Sequence, residues 1–183
     1  MKHLDIEDML VISANKNIST EIINLIGGQI RQAELADGIY IDEVRIEPLS
    51  KKPGATPLMQ IEPVPQGKQA GVFLILNQDV VSGTSLADLD ERIRKTDWNI
   101  AQNLKEATIH EIGHVKLIWG RSIQEIHELY KELADKGIKE ISAIAAEDGA
   151  EAIAEIEILL HRGEPLSEEA ERLYSTYVRR TNK

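Results

Sequence analysis

At 183 residues the chain has the length of one ordinary domain, and its 42% hydrophobic share is typical of a globular protein. It has no cysteine, which excludes disulfides and thiolate metal sites and leaves His, Asp and Glu as the possible metal ligands. The formal net charge of −10 provides no basic stripe for phosphates, so neither nucleic acid nor an anionic membrane is expected as the main partner.

The amino-terminal sequence MKHLDIEDML is acidic and lacks a continuous apolar run. We therefore expect neither a signal peptide nor a transmembrane helix, and we expect the protein to be cytoplasmic. No linker is long enough to separate independent domains. The sequence predicts a single domain over residues 1–183, with an α/β part over about 1–83 and a helical part over about 84–183.

The first part of the chain contains both helix and strand patterns. Apolar residues recur at helical spacing over residues 19–34, and from Ile39 to Pro48 the period changes to two, which predicts a strand. A hairpin partner for that strand is expected at residues 58–61, inside a proline-rich stretch, 51–69, that we expect to be an irregular loop or an edge. The apolar run GVFLILN, residues 71–77, predicts a buried central strand.

The second part is predicted to be helical. Caps and apolar periodicity predict helices over residues 85–95, 99–119, 122–136, 141–161 and 167–179. The two parts together predict an α+β fold, in which a small mixed or antiparallel sheet is followed by helices.

The predicted helix over residues 99–119 contains the sequence HEIGH. His110 and His114 stand four residues apart, so both imidazoles project from one face and can reach one cation. Neutral imidazole suits Zn²⁺, which lowers the pKa of water enough for a carboxylate to take its proton near neutral pH. Glu111 is placed to be that general base. Gly113 leaves space for another backbone or a substrate to come close.

A catalytic zinc site usually has three protein ligands, so a third ligand is expected downstream. His127 lies at the wrong spacing to continue the motif and is interpreted as a helix-surface histidine. Glu147, Glu151 and Glu155 recur every four residues along the predicted helix over 141–161, beside apolar residues. One carboxylate of this helix is therefore expected to reach the metal, and the spacing leaves all three open.

The segments THEIGHV and EDGAEAIAEIEILL together resemble the gluzincins, in which a glutamate from a later helix is the third zinc ligand. More narrowly, they look like the peptidase domain of lethal-factor-type toxins and the zincin-like domains of phage head-morphogenesis proteins, where a glutamate opens an ExxAE pattern. Residues 151–155, EAIAE, match that pattern. The resemblance covers about residues 71–163 and implies a zincin-like fold. It implies Glu151 as third ligand and Glu155 as a carboxylate that orients a histidine, with Glu147 near them.

These features predict a zinc-dependent metallopeptidase that hydrolyses peptide bonds in a peptide or protein substrate with zinc-activated water. The substrate is expected to lie antiparallel to an edge strand from residues 39–61, with Pro63 and Pro65 protecting the unused part of that edge. No tyrosine stands just upstream of Glu151 to stabilise an oxyanion. Tyr174 and Tyr177 are the candidates for that role, with packing as the alternative.

Two other functions fit the same motif. A catalytically silent zincin-like module, structural or interacting and related to phage proteins, would bind zinc without cleaving peptides. A regulatory protease that degrades repressors would act on one cognate protein and poorly on generic peptides. Metal content measured beside peptide cleavage separates the three.

Overall fold

The computed structural model of the protein describes residues 2–6, 9–13, 17–49 and 56–178. Five strands and seven helices are formed within these residues. In chain order they are β1 (Lys2–Ile6), β2 (Met9–Ser13), α1 (Thr20–Asp37), β3 (Glu43–Glu47), β4 (Met59–Gln66), β5 (Gln69–Asn77), α2 (Gln78–Val81), α3 (Leu86–Arg94), α4 (Leu104–Ile118), α5 (Ile123–Leu133), α6 (Gly149–Arg162) and α7 (Glu168–Tyr177). None of these helices is both long and apolar enough to cross a lipid bilayer.

The five strands form one mixed sheet in the order β1-β2-β3-β5-β4. The neighbours β2, β3 and β5 run parallel, whereas β1 and β4 lie antiparallel at the two edges. The predicted α+β fold, with a mixed sheet followed by helices, is therefore confirmed. The sequence patterns did not predict β1, β2 or the short helix α2.

Residues 59–61 of the predicted hairpin partner belong to a strand, but that strand pairs with a different neighbour. β4 lies antiparallel to β5, with Ile61 opposite Leu74, while β3 pairs in parallel with the other side of β5. The turn between β4 and β5 contains only Gly67 and Lys68, and Gly67 adopts a φ of 65° that favours glycine. So short a turn makes the two strands that flank it pair with each other.

β5 is the buried central strand that its apolar run predicted. Val72, Leu74 and Leu76 are almost completely buried, and β5 lies between β3 and β4. In the proline-rich stretch, residues 59–66 form the edge strand β4, so the expectation of an edge holds there. Residues 51–55 of that stretch lie outside the described part of the chain.

Two helices begin later than predicted because side chains cap them. Asn103 accepts a hydrogen bond from the backbone N–H of Glu106, so α4 begins at Leu104 rather than at residue 99. Asp148 accepts hydrogen bonds from the backbone N–H groups of Ala150 and Glu151, at 2.7 and 2.9 Å. The prediction of a helix from residue 141 is therefore wrong, since α6 begins only at Gly149.

α4 and α6 pack closely at the centre of the helical part. A Cβ atom on Gly113 would lie 2.7 Å from the Cα atom of Ala154, which is too close for any residue but glycine. The space expected at Gly113 is thus filled by another backbone. Ile153 and Ile156 of α6 are fully buried in the core beside this contact. The close approach fixes α6 against α4 and so determines which side chains of the two helices meet.

Candidate metal centre

α4 presents the two histidines of the motif on one face, as their four-residue spacing predicts. The ring centroids of His110 and His114 are 5.0 Å apart, with 76° between the ring planes. Their side chains are only 13% and 11% exposed. Both rings are therefore held in a largely dry environment.

α6 brings one carboxylate to this pair of rings. Oε2 of Glu151 lies 3.2 Å from Nε2 of His110 and 3.6 Å from Nε2 of His114. Ligand atoms in a tetrahedral zinc site are about 3.3 Å apart when each bond is about 2.0–2.1 Å long. The three side chains can hold a metal ion, since one ligand atom from each lies within 4.8 Å of the others.

When the imidazole of His110 is neutral, two polar atoms of this group are buried without a hydrogen-bond partner among the described residues: Nδ1 of His114 and Oε2 of Glu151. Leaving a buried polar atom unsatisfied costs about 1–3 kcal/mol. Oε2 is also the oxygen that faces both histidines, so it is aimed at the place where a cation would lie. The donors present, two imidazoles and one carboxylate, are those from which three-ligand zinc sites are built.

A second glutamate of α6 holds the first histidine in place. Nδ1 of His110 donates a 2.9 Å hydrogen bond to Oε1 of Glu155, a residue with no exposed surface. The other oxygen of Glu155 accepts a 2.8 Å hydrogen bond from the backbone N–H of Ile100. With the proton on Nδ1, the lone pair of His110 Nε2 is free to face the metal position.

The charges of the group depend on each other in the metal-free protein. Burial by itself lowers the pKa of His110, but contact with the carboxylates of Glu151 and Glu155 outweighs burial and raises this pKa to about 10. Burial by itself raises the pKa of Glu151, whereas the two imidazoles hold it well below its ordinary range. A proton on His110 therefore supplies, in the metal-free state, part of the positive charge that a cation would bring.

Glu111 lies beside the three possible ligands. Burial raises the pKa of its carboxyl group above the ordinary value, an effect that His114 and His110 oppose and the negative charge of Glu151 reinforces. A hydrogen bond from the backbone N–H of Ile61 on β4 also opposes it. Glu111 thus lies near both the three possible metal ligands and Ile61 of the edge strand.

One residue near the group was missed by sequence reasoning. Burial, followed by the negative charges of Glu151, Glu111 and Asp148, raises the pKa of Tyr130 on α5, so its phenol keeps its proton at neutral pH. α5 contacts both α6 and β4. The signal in the sequence was weak, because Tyr130 follows the buried Leu129 in an ordinary amphipathic helix.

The two tyrosines proposed from the sequence are engaged elsewhere. The hydroxyl group of Tyr174 donates to Oε1 of Glu157, and that of Tyr177 donates to Oε1 of Glu132 at 2.6 Å. Neither of these carboxylates belongs to the group around His110. The alternative of a structural role for Tyr174 and Tyr177 agrees with these contacts.

Other residues considered from the sequence stay away from the group. Glu147 is exposed and precedes the cap of α6, so the expected four-residue stripe starts at Glu151, and Glu147 is not part of the group of described residues that could hold a metal ion. His127 is an exposed residue of α5, as its interpretation as a surface histidine requires.

Comparisons with known protein families, with curated proteins and with solved structures find no match to this chain. A metal centre is therefore inferred from the side chains of His110, His114 and Glu151 alone.

Proposed function

We propose that the protein is a zinc-dependent peptidase. The observation that carries this proposal is the position of Glu111, whose partly buried carboxylate is influenced both by the three possible metal ligands and by the backbone of Ile61 on the edge strand β4. A base beside a metal site and an edge that can pair with an extended chain are the two parts that peptide hydrolysis requires.

Zinc is the metal that the donors favour. Two imidazole nitrogens and one carboxylate oxygen, at separations near those of a tetrahedron, leave a fourth position for water or substrate. When bound, zinc supplies a Lewis acid that polarises a carbonyl group and makes water easier to deprotonate.

Glu111 is proposed to move the protons. Its carboxylate would take a proton from the attacking water and hold it on a side-chain oxygen until the leaving amine accepts it. The raised pKa of Glu111 suits this work, because a base is most effective when its pKa lies near the working pH. Glu155 would keep His110 in the correct tautomer and orientation throughout.

Tyr130 is proposed to stabilise the negative charge that develops on the carbonyl oxygen. Tyr130 as a whole residue is 37% exposed, and the negative charges of Glu151 and Glu111 act on its phenol. Among the described residues the phenol has no hydrogen-bond partner. A hydroxyl group that is protonated at neutral pH and makes no other hydrogen bond can donate one to the oxyanion.

Mutation of the proposed base tests this function. Zinc-loaded wild type and Glu111→Gln are incubated with a peptide library, and products are detected by mass spectrometry beside metal analysis. Glu111→Gln should bind zinc in the wild-type ratio and lose cleavage by about 10²–10⁴-fold. Glu147→Gln makes the same chemical change at an exposed residue before α6 and should retain wild-type activity.

The results separate the alternatives. Cleavage by Glu111→Gln at the wild-type rate would contradict the proposed base. Zinc binding without any cleavage by the wild type would favour the catalytically silent module instead. Cleavage confined to one protein substrate would favour the regulatory protease.

A further inference from the structure

The outer side of β4 is the free edge of the sheet, but not every residue on this edge has a backbone N–H group to offer. Val72 lies opposite Pro63, yet it bonds on its other side, donating to Oδ2 of Asp42 at 2.7 Å and accepting from the Asp42 N–H at 2.9 Å. Ala70, opposite Pro65, likewise donates to the carbonyl of Arg121 at 2.8 Å. Both prolines therefore face away from β5, on the free edge.

Ile61 faces the same edge, because residues two apart on a strand point the same way and its N–H is directed at Glu111. A peptide added beside β4 would find an N–H and a carbonyl at Met59, but at Ile61 it would find only the carbonyl, because the Ile61 N–H is directed at Glu111. At Pro63 and Pro65 it would find only carbonyl groups, since proline has no N–H, and the proline rings stand where a partner strand would approach.

Along β4, Met59 lies on one side of the proposed base Glu111, and Pro63 and Pro65 lie on the other side. Glu111 meets β4 at Ile61, so the bond to be cleaved would lie near that residue. In an antiparallel pairing, the peptide residues toward the amino terminus would lie opposite Pro63 and Pro65. Those toward the carboxyl terminus would lie opposite Met59.

We infer that strand pairing with β4 stops at Ile61, so that the site recognises its substrates by residues on the carboxyl side of the scissile bond. This inference rests on the proposed function and adds a substrate class to it: peptides that need few residues before the cleaved bond. Pro63 and Pro65 are the residues that determine this specificity.

Peptide hydroxamates provide a test that does not depend on cleavage, because the hydroxamate binds the metal and fixes the register. One series carries one to four residues on the amino side of the hydroxamate, and the other carries them on the carboxyl side. Dissociation constants are measured by calorimetry with zinc-loaded wild type and with the double variant Pro63→Val/Pro65→Val. The variant keeps its pairing with β5, since neither proline faces that strand.

For the wild type, lengthening the amino-side series should change the dissociation constant less than about 3-fold, while lengthening the carboxyl-side series tightens binding. The double variant should tighten binding of the amino-side series by on the order of 3- to 10-fold for each restored hydrogen bond. Pro165→Val, at an exposed position between α6 and α7, is the control and should behave as the wild type.

Equal gains with length on both sides in the wild type would overturn the inference, as would an unchanged response in the double variant. Failure of every hydroxamate, including acetohydroxamate, to bind zinc-loaded protein would overturn the proposed function as well. The expected length dependence without cleavage of any peptide would reject peptidase activity and, with it, the substrate class, and would leave only the limit of strand pairing at Ile61.

Discussion

On one side of the α4–α6 pair Glu157 faces a lysine, and on the other side Glu151 faces two histidines. Nζ of Lys116 lies 2.8 Å from Oε2 of Glu157 and 2.9 Å from Oδ2 of Asp37, and Tyr174 donates to the other oxygen of Glu157. This side, called here the lysine face, contains its own cation.

On the metal face, formed by His110, His114 and Glu151, the compensating charge comes from a proton on His110 or from a bound cation. Among the described residues, Glu151 makes ion pairs with the two histidines and with no lysine or arginine. The same two helices thus hold one carboxylate neutralised by the chain and another that depends on a proton or a cation from solution. Buried carboxylates require a compensating charge. We therefore expect mutations on the lysine face to lower the free energy of unfolding and mutations on the metal face to lower the affinity for zinc.

The largest effect is expected for Glu151→Gln. This change keeps the size of the side chain but removes a charged ligand, and zinc affinity should fall by more than about 100-fold, since even loss of a residue that only orients a ligand costs 10–100-fold. Titration against a chelating dye measures the affinity. If Glu151→Gln bound zinc as tightly as the wild type, Glu151 would not be a ligand and the two faces would not differ in this way.

Glu157→Gln should have the opposite profile. It leaves the buried Lys116 ammonium with Asp37 as its remaining ion-pair partner, so the free energy of unfolding should fall by roughly 2–3 kcal/mol. Urea denaturation measures this loss, and zinc analysis should give the wild-type ratio. If Glu157→Gln lost zinc and kept the stability of the wild type, the metal would lie on the lysine face, which would contradict the assignment.

A smaller effect is expected in the protons that accompany metal binding. Because contact with Glu151 and Glu155 raises the pKa of His110 to about 10, the ring is protonated at pH 7.5 in the metal-free protein, and zinc must displace that proton. Calorimetry in two buffers that do not bind zinc and that differ in their enthalpy of ionisation should show release of about one proton from His110. Identical binding heats in the two buffers, after correction for dilution, would contradict this.

The same shift has a consequence for stability without metal. The pKa of His110 is raised from 6.5 to about 10, so its stabilising effect is complete below about pH 6.5 and is lost as the pH rises through about 10. Zinc binding removes this dependence, because the proton is then replaced.

Local patterns predicted much of the site. The four-residue spacing of His110 and His114 requires only a regular helix, and the same holds for Glu151 and Glu155. The predicted start of this helix at residue 141 was wrong for a reason that is also local, because Asp148 caps α6 with its side chain and starts the helix after Glu147. An aspartate followed by glycine was a signal that could have placed this boundary.

Contacts between distant segments could not be predicted. The spacing of residues does not show that Gly113 meets Ala154, that Tyr130 comes near Glu111, or that β4 pairs with β5 instead of β3. These contacts depend on how whole elements pack, which a single sequence read for periodicity does not contain. The general assignment of an α+β fold needed only the order of strand and helix patterns.

The central claim is that His110, His114 and Glu151 bind one metal ion between α4 and α6. Crystals grown with Zn²⁺ and measured at the zinc absorption edge test it most directly. We expect one strong anomalous peak in contact with Nε2 of both histidines and with Oε2 of Glu151. A peak at the lysine face or elsewhere, with these three atoms free of metal, would contradict it.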